Sequence, residues 1–428
     1  MERFTKSLLG GVISRAIRFN LALWFVATFG LFAQESNETP PNFKVAFIAD
    51  QGIGSSARKV LTLIKQEEAQ AVIHQGDFEY KDDPSLWNEM ISEILGPNFP
   101  YFASIGNHDV KRWDGERGYQ YYLEERCRRA GITWEGDLGI KSALKYKGLF
   151  IILVAPGIKG SNHDTFIREQ LQKDRSIWRI CSWHKNMKKM QVGGKKNDTG
   201  WGVYEEARKG GAIIATGHEH SYSRTHLLSN IKEQTVASRS DTLVITRGKT
   251  FVFVSGLGGK SIRDQELEGD HWASVYTSDQ KAKFGALFAE FNYKGIPNLA
   301  HFYFKNVDGK VVDEFWVVSQ VEENLTGIED HPPGIVNQFV LDQNYPNPFN
   351  PQTQIQFSIP QPAEVQVVIS DMMGRRVRTL FEGKAGAGVT RLIWDGRDDA
   401  GFKVPSGAYL YQLISGNRVL SRRMLMIK

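Results

Sequence analysis

The chain has 428 residues, 41% hydrophobic and 24% charged, with a formal net charge of +5; it is too long for one ordinary domain and too apolar for wholesale disorder. The positive excess sits at the ends. Arg3, Lys6, Arg15 and Arg18 oppose only Glu2 in residues 1–33, and residues 337–428 carry eleven Lys/Arg against seven Asp/Glu. Residues 34–336 are therefore slightly acidic, which excludes a nucleic-acid module there by charge.

In chain order, residues 1–33 place basic side chains before the apolar stretch LALWFVATFGLFA and the polar stretch QESNETPPN after it. A charged start, an apolar run short for a membrane span and a small residue at its end predict a signal peptide cleaved after Ala33, with an uncleaved anchor as the alternative. No later segment is apolar enough to span a bilayer, so the mature protein is expected to be exported and soluble. From residue 42, strands and helices alternate. FKVAFIAD (43–50) reads as a buried strand ending in an acid, SSARKVLTLIKQEEA (55–69) as a serine-capped helix and AVIHQGD (71–77) as a second strand. PSLWNEMISEIL (84–95) is a helix with proline in its first turn, and YFASIGNHD (101–109) a third strand. A charged helix near 116–130 follows, then strands at 148–156, 177–184 and 212–220 separated by helices near 163–173 and 202–209. This alternation predicts an α/β layered fold with parallel pairing. From Thr242 onward the pattern is strand-rich and predicts a second, more antiparallel sheet packed on the first. The acidic, proline-containing stretch over 321–336 reads as a linker. Beyond it, short strands with Asp-Gly and Ser-Gly turns predict a small all-β sandwich over 337–428. Cys127 and Cys181 either pair, as export would permit, or are buried thiols; Cys181 lies inside the apolar run IWRICSW.

Five clusters stand at the ends of predicted strands: ADQG (49–52), GDFEY (76–80), GNHD (106–109), SWH (182–184) and GHEH (217–220). Strand ends of open α/β sheets face the ligand crevice, so Asp50, Asp77, Tyr80, Asn107, His108, His184, His218 and His220 are delivered toward one edge. Taken singly, each fits a turn residue or a satisfied core histidine. Together, carboxylates, an amide, imidazoles and a phenol suit two adjacent cations, with Asp77 able to bridge them. Nothing in the chain has the form of a Ser-His-Asp triad, a P-loop or a dinucleotide fold.

Asp-x-Gly, Gly-Asp-x-x-Tyr, Gly-Asn-His-Asp, a lone strand-end His and Gly-His-x-His, in that order over about 43–318, resemble the calcineurin-like metallophosphoesterases, and Tyr80 resembles the purple acid phosphatase branch. The resemblance implies a four-layer α/β/β/α catalytic domain over 42–320. It implies Asp50, Asp77, Tyr80 and His220 around Fe(III), and Asp77, Asn107, His184 and His218 around a divalent ion, Zn, Fe or Mn. His108 would be the general acid and Asp109 its orienting partner. The implied reaction is hydrolysis of phosphate monoesters by a metal-activated hydroxide. A phosphodiesterase or nucleotide hydrolase on the same metals, or a surface-displayed binding protein without turnover, are the alternatives.

The sequence departs from that pattern in having no histidine over 185–217. Lys185, Lys188, Lys189, Lys195 and Lys196 stand there instead, as phosphate-binding groups or as a solvated loop, and His226 or His271 are other substitutes. SGLGG (255–259) is either a segment of close backbone approach or a plain turn. Trp183 reads as packing beside the site, and His74, His163, His301 and His331 as structural or solvent-facing. The tail, with NYPNPFNP, MMGRRV and SGAYLYQL, resembles the C-terminal sorting domain of the type IX secretion system. That resemblance implies passage across the outer membrane after Sec export, to the surface or medium, with the secretion machinery as partner.

Overall fold

The computed structural model describes residues 39–321, 339–416 and 418–427. The predicted signal segment, His331 and all but Val321 of the predicted linker lie outside them.

Three strands open the fold. β1 (Phe43–Ile48) pairs in parallel with β2 (Ala71–His74), and β2 with β3 (Tyr101–Ala103). Their apolar runs are buried on both faces, as parallel strands require. The connecting helices are α1 (Ser55–Gln66), α2 (Pro84–Ile94) and, after β3, α3 (Tyr119–Arg129). Asp83 caps α2 by accepting the Leu86 amide at 3.0 Å, and Pro84 occupies its first turn. At α1 the cap is Gly54, and Ser55 is already helical.

The late strands do not form a sheet of their own. Gly285–Phe291 pairs antiparallel with the free edge of β1, and Leu299–Asn306 and Val311–Ser319 extend it, with Thr242–Ile245 parallel at the rim. This makes a seven-stranded sheet. The second sheet has eight strands, with a parallel centre of Leu149–Val154, Trp178–Ser182, Ile213–Thr216 and Val252–Ser255. Val252–Ser255 is thus a late strand inserted into the second sheet. The inner faces interlock: Phe47 meets Phe253 edge to face at 5.2 Å, Trp178 meets Phe291 at 5.0 Å, and Ser255 Oγ donates to the Phe47 carbonyl at 2.9 Å. Fully burying such a side chain contributes about 1.5–3 kcal/mol. α1–α3 pack on the first sheet, and α4 (His163–Lys173) and α5 (Gly202–Lys209) cover the second through Ile167, Leu171, Val203 and Ala207. The order of layers is α/β/β/α.

Cys127 and Cys181 are buried and unpaired. Among the described residues no helix is long and apolar enough to cross a membrane.

The C-terminal domain is an all-β sandwich of a three-stranded and a four-stranded antiparallel sheet around Phe357, Val367, Trp394 and Leu413. It touches the α/β domain: Leu425 packs with Ile296, Leu299, Val318 and Trp316, and the Arg423 guanidinium donates to the Gly295 carbonyl at 3.3 Å.

Candidate metal centre

All five sequence clusters lie just beyond the ends of parallel strands, where the chain leaves the sheets. Four of the donor-bearing residues have left-handed backbones: Asp50 (φ 56°), Asp77 (61°), Tyr80 (67°) and His218 (68°). Such conformations cost a non-glycine residue on the order of 1–3 kcal/mol and persist only where the surroundings enforce them. Here the loops after β1 and β2 are zipped together, the amides of Asp50, Gln51 and Gly52 donating to the carbonyls of Gly76, Asp77 and Phe78. Asp109 fixes the same turn. Its buried carboxylate accepts the amides of Asp77 (2.8 Å), Phe78 (2.9 Å) and Gly106 (2.7 Å). Expected beside His108, Asp109 instead spends its acceptor capacity on backbone and positions Asp77. Gly106 has no alternative, because a Cβ there would strike the Asp77 amide and carboxylate.

The side chains gather in two groups. In one, Asp77, His184 and His218 bring donor atoms within 4.8 Å of one another, with His184 Nε2 3.3 Å from Asp77 Oδ2 and 3.1 Å from His218 Nδ1. In the other, Asp50 Oδ1 accepts from the Tyr80 hydroxyl at 3.0 Å and lies 3.2 Å from His220 Nε2, which is 3.4 Å from the same hydroxyl. Outer partners orient the rings: the Gln75 carbonyl accepts from His184 Nδ1 at 2.7 Å, and Ser261 Oγ lies 2.5 Å from His220 Nδ1. The groups are joined by the His218 amide, which donates to Asp50 Oδ2 at 2.9 Å. Asn107 carries a buried side-chain oxygen with no hydrogen-bond partner.

Charge explains what this arrangement wants. Burial opposes ionisation of Asp50 and of Asp77, yet His220 and His184 respectively more than offset it, and both carboxyls titrate below their usual range. Burial likewise opposes protonation of His184, but Asp77 and then Asp50 raise it to about 9. Burial and the neighbouring His184 push His218 down to about 3. Burial, then Asp50 and Asp77, drive the Tyr80 phenol far above its ordinary value. A protonated His184 offsets only part of the charge of the two carboxylates, and the phenol stays neutral. Two buried carboxylates, imidazole nitrogens facing a common point and an orphaned amide oxygen fit bound cations.

His108 is exposed, its ring 4.6 Å from that of Tyr80 and its amide donating to Asp77 Oδ1 at 2.9 Å. SGLGG makes the close approach: the Gly258 amide donates to the Ala49 carbonyl and the Lys260 amide to the Asp50 carbonyl. Lys260, not anticipated, lies over the Tyr80 ring at 4.3 Å. In the lysine loop, Lys188, Lys189 and Lys196 are exposed while Lys185 and Lys195 are half-buried. The His226 amide donates to the His271 carbonyl, and the His271 ring meets the Lys189 carbonyl; among the described residues neither is bonded to a donor group of the cluster. His74 is buried between Phe78 and Tyr101, and burial pushes it down to about 3. Trp183 packs edge-on against Tyr204.

The paired sheets collect carboxylates and imidazoles at their strand ends, a donor set suited to cations. Residues 43–222 match the model of the Calcineurin-like phosphoesterase family, and residues 346–417 match that of the FlgD Ig-like domain. The fold is similar to that of purple acid phosphatase PPD1 from yellow lupin (Lupinus luteus) seeds, with 16% identity and a TM-score of 0.51 over 66% of this chain. The chain spans 55% of that protein's length. PhoD aligns over 68% of this chain and 76% of its own at 11% identity and a TM-score of 0.40. FlgD from P. aeruginosa aligns over 17% of this chain and 59% of its own at 22% identity and a TM-score of 0.15. Comparison with curated proteins gave no match.

Proposed function

We propose that the protein is a dinuclear metal-dependent phosphatase of the purple acid phosphatase type, hydrolysing phosphate monoesters. The observation that carries this reading is the pair of adjoining donor groups, Asp77–His184–His218 and Asp50–Tyr80–His220, linked through the His218 amide. Asp50, Asp77, Tyr80 and His220 would hold Fe(III), and Asp77, Asn107, His184 and His218 a divalent ion. When bound, such a pair neutralises phosphate oxygens and acidifies a water. The chain's own residues supply the rest. His108 stands at the exposed rim to deliver a proton to the leaving ester oxygen. Its backbone is anchored on Asp77, and Asp109 holds the turn that carries Asp77. Elemental analysis tests the assignment: Asp77→Asn should lose both metals and His184→Ala mainly the divalent one. Equal loss of both metals in both variants contradicts it.

We further propose export through the segment 1–33, and surface delivery through the C-terminal domain acting as a type IX sorting signal. The NYPNPFNP opening and the sequence order of residues 1–33 support this. Fractionation of a chain lacking 337–428, in a host with that system, should find it in the periplasm; a truncated chain outside the cell removes the sorting role.

A further inference from the structure

Beside the donor groups lie three charged residues without a part in the chemistry above: Lys195, Glu219 and Arg263. Glu219 stands between His218 and His220 and is fully buried; its Oε2 is 3.5 Å from the Arg263 guanidinium, and its Oε1 has no hydrogen-bond partner. The lysine loop passes directly over this carboxylate, so closely that a Cβ on Gly193 would collide with it. The loop is built rather than loose. The buried Gln191 side chain accepts the Gly193 amide at 2.7 Å and donates to the carbonyls of Lys188 (3.1 Å) and Lys195 (3.2 Å). From the other side, the amides of Glu266 and Leu267 both donate to the Val192 carbonyl, and the Arg263 amide donates to the His220 carbonyl. Lys195 and Arg263 therefore ride on two segments stapled to each other and to the metal motif. Burial first, and then Arg263, lowers the Lys195 ammonium, against the pull of Glu219, Asp50 and Asp77. Lys195 is half-buried on the loop that crosses Glu219, whereas Lys188, Lys189 and Lys196 face solvent.

We propose that Lys195 and Arg263, carried on the two stapled segments beside Glu219, bind the non-bridging oxygens of a phosphoryl dianion and select phosphate monoesters over diesters. This rests on the phosphatase reading and names the residues that set its substrate class. A monoester above its second ionisation carries close to two negative charges on one phosphoryl group. A diester carries one, and its second ester arm occupies the direction in which the extra charge would point. Lys195 and Arg263 face the buried Glu219, with the exposed Glu266 carboxylate lying against Gly194, and the guanidinium can chelate two oxygens at once. Glu219 acts through the two cations and is a positioning residue.

Lys195→Met and Arg263→Met are to be compared with the parent on p-nitrophenyl phosphate and bis(p-nitrophenyl) phosphate, with metal content measured alongside. Loss of a charged hydrogen bond should lower monoester kcat/KM by about 10–100-fold, mostly through KM, with less than about threefold change for the diester. Lys195→Arg should recover most of the loss. Inorganic phosphate, titrated calorimetrically into each metal-loaded protein, should bind more weakly by a similar factor. Equal losses on both esters, or unchanged phosphate affinity, overturn the proposal. A parent protein that binds both metals but hydrolyses neither ester overturns the phosphatase reading, and the phosphate titration then still decides the role of Lys195 and Arg263.

Discussion

Tyr80 is the side chain on which the choice of metal turns. Its phenol is half-buried and bonded to the Asp50 carboxylate, with Asp77 also opposing its ionisation, so ionising it demands a strongly charged cation in contact. Tyr80→Phe is expected to keep the fold and to abolish a visible absorption band of the Fe(III)-loaded protein; a colourless parent under the same loading shows that the phenol is not a ligand. His108 makes a separate prediction. His108→Ala should retain both metals and lower kcat by about 10²–10⁴-fold for alkyl phosphates, with a smaller loss for activated aryl phosphates, whose leaving groups need little protonation. A uniform loss across leaving groups points to positioning instead. Residue types at strand ends were legible because each motif is a few residues long and its chemistry is local. Glu219, Ser261 and Arg263 were not, since their meaning arises from contacts across 41 to 44 positions that carry no spacing rule. The left-handed backbones of Asp50 and Tyr80 also leave no trace in composition.

At the scale of elements, the helices over 163–173 and 202–209 and the strand Trp178–Ser182 that leads to His184 follow directly from periodicity. The assignment of strands to sheets does not. A strand buried on both faces looks the same whichever sheet it joins, so nothing in GALFAEF announces that it pairs with β1 across more than two hundred residues. Trp134–Asp137 and Lys141–Tyr146 escape notice because the first is mostly exposed and the second carries lysines at both edges of its apolar centre. One contact between elements is titratable. Glu67, at the C-terminus of α1, accepts from Tyr303 (2.7 Å) and Lys305 (2.6 Å) on the strand Leu299–Asn306. Burial alone would raise its carboxyl, but Lys305 and Tyr303 hold it below the usual glutamate range. A depressed folded pKa stabilises the fold above the unfolded value, and that stabilisation is lost as pH falls through the folded one. Lys305→Met should therefore lower the unfolding free energy from urea titration at pH 7, by less than about 1 kcal/mol for a half-buried pair, and the difference should be smaller at pH 3. A deficit of equal size at both values would assign the effect to packing.

For the whole molecule, the C-terminal sandwich has its own core yet also covers an apolar patch of the catalytic domain. Ile296, Leu299 and Val318 are almost fully buried, with Leu425 among their neighbours. Every proposed donor precedes residue 221, and the flanking Lys260, Ser261 and Arg263 also belong to the catalytic domain. Removing 337–428 should leave kcat within about twofold while lowering Tm by about 2–6 °C, as the patch meets water. Activity and calorimetry of the 34–330 fragment check both. A folded, metal-loaded but inactive fragment shows that the sandwich contributes to the site.

The strained turns around Asp50, Asp77 and His218 also bear on how the protein persists where metal is scarce. Bound at this folded cluster of donors, the proposed ions would act as ligands of the native state alone. Their loss should register as fragility, since stabilisation follows the logarithm of free ion concentration over the dissociation constant. Scanning calorimetry with and without a chelator should show a transition falling by more than about 5 °C when ions are stripped and returning when they are restored. Metal supply would then govern the lifetime of the molecule as well as its turnover.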